Sequence, residues 1–285
     1  MDSFGETVCA GIVTYNPELE RFKAVIGAIA SQVSEVFIED NGSGSIDDIN
    51  AVAAGFANVK VHSLGENKGI AYALNRLCDT AIESGYDWLL TLDHDTICSE
   101  GMIKSFAELS SLEDAGIICP RIHYVGIEVP EKGNTDDRYS EVTACMTSGS
   151  LMRLEAFRKT PGFDDWMFID YVDNDICMKL NLAGYKIIRD NKVFMDHQLG
   201  HVVKRKVLGI TRNDFQYSPQ RIYYIMRNTI YFKRKYKKHI SRLKYELIVL
   251  LNIHDFTILY RRDKDRIDAM KRGINDGKKA KVEPV

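Results

Sequence analysis

The sequence lacks the features of disulfide-stapled, fibrous and membrane-spanning proteins. Only 6 of its 285 residues are proline and 20 are glycine, which argues against long fibrous or disordered segments. The 6 cysteines stand singly, without CxxC spacing, so neither a zinc ribbon nor a redox dithiol is expected. The longest apolar run near the C-terminus, residues 247–251, is far shorter than the roughly 20 residues that cross a bilayer. We therefore expect a globular chain with reduced thiols in a reducing compartment.

Basic residues are scarce in the first 200 residues, and acidic residues are scarce in the rest of the chain. Residues 1–200 hold 16 Lys and Arg against 32 Asp and Glu, whereas residues 201–285 hold 22 against 8. Between Asp214 and Glu246 there is no acid, but nine Lys or Arg. This break predicts one domain over residues 1–200 and a basic, aromatic, helical region over residues 201–285. Such a tail is expected to meet phosphates, nucleic acid or a membrane surface, the alternative being a solvated helix face.

The first two hundred residues alternate between strand and helix patterns. Apolar, β-branched runs predict strands, and helical spacing follows the first and third of them. Strands are predicted at 8–14, 36–38, 59–63, 88–92, 117–119 and 186–194, and helices at 18–31 and 69–84. This alternation is typical of an α/β fold with a mostly parallel sheet, which binds its ligands at the carboxyl ends of the strands. Residues 124–141 lack periodicity and predict a loop or lid.

Two carboxylates, Asp93 and Asp95, follow the fourth predicted strand. On an extended backbone they project to the same side, and such a pair can hold a hard divalent cation. Mg²⁺ usually binds through one or two carboxylates plus substrate phosphates, so the pair predicts a metal-diphosphate site. The alternative is a solvated loop with two acids. His197, after the strand at 186–194, is a candidate to complete the metal shell.

Three further acids lie where strands end or helices begin. Asp40 follows the second strand and could accept hydrogen bonds from a base or a ribose, although Asn41-Gly42 is also a turn signal. Asp170 and Asp173 precede an amphipathic helix, where the helix dipole tends to keep carboxylates ionised. An ionised, positioned carboxylate is what a general base needs.

The order of these motifs resembles family 2 glycosyltransferases. The resemblance covers about residues 8–200 and rests on residues 13–16, 39–43, 67–69, 92–95, 147–150 and 173–175. It implies a GT-A fold with a nucleotide-sugar half over about residues 1–96 and an acceptor half over about 97–200. Within the family, residues 168–173 and 218–228 look most similar to bacterial rhamnosyltransferases, which build O-antigen or capsule polysaccharide from dTDP-L-rhamnose.

The resemblance implies a role for each matched residue. On the donor side, Thr14 and Asn16 lie beside the base, and Asp40 contacts the nucleoside. Asn67 and Gly69 form a turn against the nucleotide-sugar. Residues implied to contact the diphosphate or its Mg²⁺ or Mn²⁺ ion are Asp93, Asp95, Arg221 and Arg227, with Asp95 the better candidate for direct ligation.

On the catalytic side, Asp173 matches the family's general base. Val172 stands where the family usually has Glu, which leaves open whether Asp170 supplies that charge. The implied reaction is an inverting transfer of a sugar to a glycan acceptor. The sugar is rhamnose from dTDP-rhamnose or, as the alternative, another hexose from a UDP-sugar.

The expected partners follow from the same resemblance and from the basic tail. Residues 233–238 are expected to face anionic lipid headgroups beside a lipid-linked acceptor. Since no secretory signal is recognisable at the start of the chain, we expect a cytoplasmic location, peripheral on the inner face of the cell membrane. A nucleotidyltransferase is a competing class, although a glycine-rich basic loop would then follow the first strand, where Thr14 to Pro17 stand. The basic tail also suggests a non-enzymatic nucleic-acid binder, but we expect no nucleic-acid partner.

Overall fold

The computed structural model describes residues 4–124, 136–197, 202–207 and 210–282. The chain divides into two compact units. The first, here called the sheet unit, comprises Met1–Phe168 and Val172–Gln198. The second, here called the C-terminal unit, comprises Ile169–Tyr171 and Leu199–Val285. The short segment Ile169–Tyr171 therefore belongs with residues that come much later in the chain, from Leu199 onward.

The described strands of the sheet unit form one sheet in the order β3-β2-β1-β4-β7-β5-β8-β6. They are β1 (Val8–Thr14), β2 (Glu35–Asp40), β3 (Val59–Ser63), β4 (Trp88–Asp93), β5 (Ala115–Tyr124), β6 (Tyr139–Val142), β7 (Ser150–Arg153) and β8 (Lys186–His197). Strands β1 to β4 are parallel to their neighbours among themselves, and β5 is parallel to β8. Strand β7 is antiparallel to both β4 and β5, and β6 is antiparallel to β8. The predicted mostly parallel α/β sheet is confirmed.

Helices flank this sheet and bury its apolar residues. They are α1 (Leu19–Ala30), α2 (Ile46–Ala53), α3 (Ile70–Glu83), α4 (Met102–Ala107), α5 (Leu154–Arg158) and α6 (Val172–Leu182). The Glu18 side chain accepts hydrogen bonds from the N–H groups of Glu20 and Arg21, which caps α1. Every residue of β1 is buried because the strand lies inside the sheet, with apolar residues of α1 packed on one face and Leu77 of α3 on the other. This burial explains why residues 8–14 form a nearly continuous apolar run in the sequence.

The loop predicted over residues 124–141 is only partly a loop. Residues 125–135 lie outside the described part of the chain. Residues Tyr139–Val142 form β6, which pairs with β8. A four-residue strand is too short to display a period of two clearly, so the sequence pattern missed it.

The C-terminal unit begins with a hairpin and continues as helices. The hairpin consists of β9 (Val203–Val207) and β10 (Ile210–Asp214), and the helices are α7 (Pro219–Lys235), α8 (Arg242–Tyr260) and α9 (Lys264–Lys279). These helices confirm the predicted helical C-terminal region. The hairpin was not predicted, because its strands have few apolar residues to signal them. Ser218 caps α7 by accepting a hydrogen bond from Arg221 N–H, with Pro219 in the first turn.

Helix α9 packs closely against α7. A Cβ atom at Gly273 would lie 2.4 Å from the Tyr223 carbonyl oxygen, and one at Gly277 would lie 2.6 Å from that of Arg227. Only glycine allows this approach at the two positions. Within the part of the chain that the structure describes, no helix has both the length and the apolar character needed to span a bilayer.

Candidate active site

Strands β1, β2 and β4 end side by side at one edge of the sheet. Thr14 lies opposite Asp40 in the β1–β2 pair, and Val13 lies opposite Asp93 in the β1–β4 pair. The parallel register therefore brings Thr14, Asp40 and Asp93 to the edge where the sequence predicts a ligand. Thr14 is fully buried there, and its Oγ1 has no hydrogen-bond partner among the described residues.

Asp40 is fully buried and holds the turn that follows β2. Its carboxylate accepts hydrogen bonds from Ser43 N–H at 3.1 Å and from Ser63 Oγ at 3.0 Å. Asn16 connects the loop after β1 to the same turn. Its N–H donates to Ser43 Oγ at 2.7 Å, and its Oδ1 accepts from Gly44 N–H at 3.0 Å. The turn signal in the sequence is thus a real turn, built around the carboxylate of Asp40.

The turn from Asn67 to Gly69 packs against the segment that leads to the catalytic candidates. Asn67 Oδ1 accepts from Gly69 N–H at 3.0 Å. Gly69 has φ +88, and a Cβ atom there would lie 2.6 Å from the Phe168 side chain and 2.8 Å from its Cα. Ile70 N–H donates to the Phe168 carbonyl at 2.7 Å. Glycine is required at position 69 by both the backbone angle and the close approach of Phe168.

Asp93 and Asp95 lie at the end of β4 with different exposure. Asp93 is half-buried, and its N–H donates to Ser148 Oγ at 2.9 Å. Asp95 is exposed, and its carbonyl accepts from Arg21 Nε at 2.9 Å. His94 between them is half-buried, and this burial lowers its pKa.

The carboxylates of Asp93 and Asp95 fit a divalent ion that shares its coordination with a ligand. No group of three His, Cys, Asp or Glu side chains with metal-binding geometry occurs in residues 4–124, 136–197, 202–207 and 210–282. Magnesium and manganese sites in which substrate phosphates and water complete the shell need only one or two carboxylates. His197 is the last residue of β8, and its side chain lies outside the described part of the structure.

The segment around Asp170 has an unusual backbone. Phe168, Asp170 and Tyr171 have φ values of +63, +63 and +68. Such angles are rare outside glycine and cost on the order of 1–3 kcal/mol each, so the surrounding structure must hold them. Asn228 on α7 provides this support, since its Nδ2 donates to the carbonyls of Ile169 at 2.7 Å and Asp170 at 2.9 Å.

The carboxylate of Asp170 is mostly buried and only partly satisfied. Its Oδ1 lies 3.2 Å from Nη2 of Arg221, whereas its Oδ2 has no hydrogen-bond partner among the described residues. Burial raises the pKa of Asp170, and the positive charge of Arg221 opposes that rise. The Arg221 side chain is 50% exposed. A buried carboxylate with a raised pKa beside one cation is a common arrangement at functional sites.

Asp173 is the second residue of α6, where its Oδ1 accepts a hydrogen bond from Asn174 N–H at 2.8 Å. This position at a helix N-terminus favours the ionised carboxylate. Asp175, two residues later, is fully buried and pairs with Lys179 at 2.6 Å, which fixes the helix internally. Of the acids in this motif, Asp173 therefore has the exposure and the helix position that suit a base.

Arg227 is buried, unlike Arg221. Its guanidinium lies over the ring of Tyr224, 4.6 Å from the centroid, and its Nε donates to Asn228 Oδ1 at 3.0 Å. Arg227 thus orients the amide that supports Asp170. Sequence reasoning gave Asn228 no role at the site, although its side chain holds the backbone of Asp170. Its signal was a polar residue in the middle of a helix, a position that usually disfavours asparagine.

The basic cluster at the end of α7 is less exposed than its sequence indicates. Lys233 pairs with Glu246 at 2.7 Å, Arg234 donates to the Gly277 carbonyl at 2.8 Å, and Lys235 is buried. Lys237 and Lys238 are exposed. The prediction that all of residues 233–238 face lipid is therefore wrong for the buried Lys235, whereas Lys233 and Arg234 are half-buried and bound to groups within the chain.

Comparison with known proteins gives the family. The model of glycosyl transferase family 2 matches residues 9–169. The dTDP-rhamnosyl transferase RfbF of Shigella flexneri is 28% identical over 283 residues, covering 94% of this chain and 93% of RfbF.

Solved structures support the fold. Staphylococcus aureus TarS 1-349 in complex with UDP-GlcNAc has a TM-score of 0.58 at 16% identity, covering 95% of this chain and 81% of that one. GalNAc-T7 with UDP, GalNAc and Mn²⁺ has a TM-score of 0.64 at 13% identity, covering 96% of this chain and 57% of that one. These neighbours confirm the predicted GT-A fold, and the family match decides against a nucleotidyltransferase. The chain belongs to glycosyl transferase family 2 and is a glycosyltransferase.

Proposed function

We propose that this protein transfers L-rhamnose from dTDP-rhamnose to a lipid-linked glycan acceptor, with inversion at the anomeric carbon. The observation that carries the proposal is its relation to a dTDP-rhamnosyl transferase along 94% of the chain. The sheet edge supports it, since three strands bring Thr14, Asp40 and Asp93 together there. A product of this kind belongs to surface polysaccharide, such as O-antigen or capsule.

The nucleoside is proposed to lie against the loops after β1 and β2. Asn16 is exposed, and its Nδ2 makes no hydrogen bond to any described residue, so it can donate to the base. The buried Oγ1 of Thr14 also has unused hydrogen-bonding capacity. Asp40 is fully buried under its turn, so we assign it the shaping of this pocket through Ser43. Asn67 and Gly69 provide a backbone turn for the sugar side of the donor.

The diphosphate is proposed to bind Asp93 and Asp95 through Mg²⁺ or Mn²⁺. The ion, when bound, neutralises charge on the leaving diphosphate. Arg221 is the arginine we assign to the diphosphate, because its side chain is half exposed. Arg227 is buried, and we assign it to the support of Asn228 instead. His197 remains a proposed additional metal ligand.

The proton transfer is proposed to use Asp173 as the general base. Asp173 takes the proton of an acceptor hydroxyl, and that oxygen forms the new bond to the anomeric carbon. The bond between this carbon and the diphosphate oxygen breaks on the opposite face, so configuration inverts in one displacement. Asp170 is the alternative base, and its raised pKa is compatible with that role.

A donor panel tests the proposal. Thermal unfolding is measured with dTDP-rhamnose, dTDP-glucose, UDP-glucose and UDP-GlcNAc, each with and without Mg²⁺ or Mn²⁺. A ligand that binds only the folded state raises the midpoint, so we expect the largest shift from dTDP-rhamnose with metal. dTDP-glucose is the matched control that keeps the nucleotide and changes the sugar. A larger shift from either UDP-sugar would replace rhamnosyl transfer by hexosyl transfer from a UDP donor.

A further inference from the structure

The outer face of α8 exposes a stripe of leucines. Leu243, Leu247, Leu250 and Leu251 are 83%, 55%, 61% and 50% exposed. They are spaced i, i+4, i+7 and i+8, so they share one face of the helix over about 12 Å. The opposite face carries Phe256, which is buried in the core of the C-terminal unit. Four exposed leucines on a single helix face form a contiguous apolar patch, which usually marks an interaction surface.

Cations border this stripe at the start of α8. Lys237, Lys238, Arg242 and Lys244 are exposed, and the last two flank Leu243 directly in the sequence. A cavity of about 600 Å³ opens at the same end of the helix, with Lys237, Lys238 and Arg242 in its wall. Lys233, Arg234 and the acidic residue Glu246 also line this cavity.

The charges in this cavity do not cancel. Glu246 is paired with Lys233 at 2.7 Å, which accounts for one cation. The hydrogen bond from Lys233 lowers the pKa of Glu246, so the acid is ionised and the pair is neutral. Arg234, Lys237, Lys238 and Arg242 remain as an excess of positive charge, because the partners of Arg234 are neutral carbonyls. A cavity of this charge suits a phosphate group.

We propose that the leucine stripe and the adjacent basic cavity form a docking face for an anionic lipid bilayer. The leucines enter the boundary between headgroups and acyl chains, and the cavity takes a lipid phosphate. Amphipathic helices bind membrane surfaces by this combination of buried apolar side chains and electrostatic attraction. The proposal goes beyond sugar transfer itself, since it concerns where the enzyme works and not which bond it forms.

Charge complementarity selects the bilayer over the other occupants. A second copy of the chain could cover the leucines, but its matching surface carries the same excess of positive charge and offers no phosphate to the cavity. Nucleic acid would pair with the cations but would leave the leucines in water. An anionic bilayer offers apolar chains and negative phosphates together, which matches both parts of the face.

Vesicle co-sedimentation of the full chain tests the proposal. The probes are phosphatidylcholine vesicles with and without phosphatidylglycerol, at low and high salt. The first variant is Leu247→Gln with Leu250→Gln, and the second is Lys237→Gln with Lys238→Gln. The matched control is Lys23→Gln with Lys104→Gln, which removes two exposed lysines of the sheet unit. Thermal unfolding of each variant checks that it is folded.

We expect the wild type to bind the anionic vesicles and not the neutral ones. The lysine pair should lower the partition coefficient about 10-fold to 30-fold at low salt, and less at high salt. The leucine pair should lower it more than about tenfold at both salt concentrations. The control pair should reduce binding by a much smaller factor.

Two results would overturn the docking face. One is recovery of the wild type in the supernatant with anionic vesicles. The other is a dimer in light scattering that the leucine pair dissociates, which would make the stripe a contact between copies. The thermal shift with dTDP-rhamnose is measured on the same variants. None of the substituted leucines and lysines is assigned to donor binding. If a variant loses vesicle binding but keeps the thermal shift produced by dTDP-rhamnose, the docking face and rhamnosyl transfer are tested separately.

Discussion

The sheet edge and the Asp170 segment hold their candidate side chains in different ways. At the sheet edge, Asp40 accepts from Ser43, three residues later, and Asn67 accepts from Gly69, two residues later. In the C-terminal unit, the carbonyls of Ile169 and Asp170 depend on Asn228, nearly sixty residues later. Short turns stabilise themselves, whereas a strained segment needs distant support. Substitutions at the edge should therefore affect ligand binding first, and those around Asp170 should affect stability and turnover together.

The largest effect is expected from Asp173→Asn. The amide keeps the size of the side chain but cannot take the proton, so turnover should fall about 10²-fold to 10⁴-fold. The measurement is the rate of dTDP release from dTDP-rhamnose with acceptor present, together with the donor thermal shift, which should stay unchanged. Asp170→Asn is the comparison, and a greater loss there than at Asp173 would move the base into the strained segment.

Asp95→Ala tests the sheet edge as a metal site. Because Asp95 is exposed, the free energy of unfolding should change by less than about 0.5 kcal/mol. The additional thermal shift that Mn²⁺ gives to dTDP-rhamnose should nevertheless disappear. Full turnover of this variant with a chelator present would remove the metal from the mechanism. Glu20→Ala changes an exposed acid that caps nothing in the candidate site and serves as the control.

Asn228→Ala tests the distant support of the Asp170 segment. Two carbonyls lose their donor, which should cost about 1–3 kcal/mol of unfolding free energy, measured by chemical denaturation. Turnover should fall with it, while donor affinity at the sheet edge is retained. If Asn228→Ala lowers stability but leaves kcat and its pH profile unchanged, Asn228 has a purely structural role.

Gly69→Ala and Gly85→Ala separate backbone strain from contact with Phe168. Both glycines have positive φ, +88 and +84, but only Gly69 has Phe168 within 2.8 Å of an added Cβ. Gly85→Ala should cost on the order of 1 kcal/mol for the left-handed backbone. Gly69→Ala should lower the free energy of unfolding by more than Gly85→Ala does, and it should reduce the thermal shift that the donor produces. Equal losses of unfolding free energy would show that the Phe168 contact is relaxed easily.

The smallest effect concerns the acidic limb of the pH profile. Removing the guanidinium in Arg221→Gln takes away the charge that opposes the raised pKa of Asp170, so this pKa rises further. Because Asp170 binds its proton more tightly in the folded state, its protonation stabilises the folded protein below the pKa that Asp170 has in the unfolded chain. This stabilisation is lost as the pH rises through the folded-state pKa of Asp170. We expect a higher KM for the donor, because Arg221 is assigned to the diphosphate. The acidic limb of the pH profile of kcat should stay at the same pH, because Asp173 is the proposed base. A shift of that limb to higher pH would assign proton transfer to Asp170.

Prediction from the sequence worked best where the signals are local. The strands at 8–14 and 59–63 have the predicted bounds, and the strand at 88–92 agrees to within one residue. Asp40 follows the strand predicted at 36–38 and Asp93 follows the strand predicted at 88–92, so both could be placed at strand ends from the sequence. The insertion of β7 between β4 and β5 could not be predicted. Strand β7 pairs with residues dozens of positions away, and the spacing of apolar residues along the sequence reports only local structure.

The main error in the prediction from the sequence concerned which charged side chains are buried. In the sequence, Arg221 and Arg227 look alike, as do Lys235 and Lys237. In the structure, Arg227 and Lys235 lie against tyrosine rings and are buried, whereas Arg221 and Lys237 are exposed. The side that a helix turns toward the core depends on its partners, and here α9 packs on α7 through Gly273 and Gly277.

The sequence by itself determined the class of this protein. Its runs of β-branched residues and the acids that end them specify an α/β sheet with a polar edge, because both signals act over a few residues. The tertiary structure alone decided which residues share a site. Asn228 meets the backbone of Asp170 only because α7 folds back on residues 169–171, and Leu247 is exposed only because the other face of α8 is buried. Contacts between distant residues depend on packing, which no local pattern encodes.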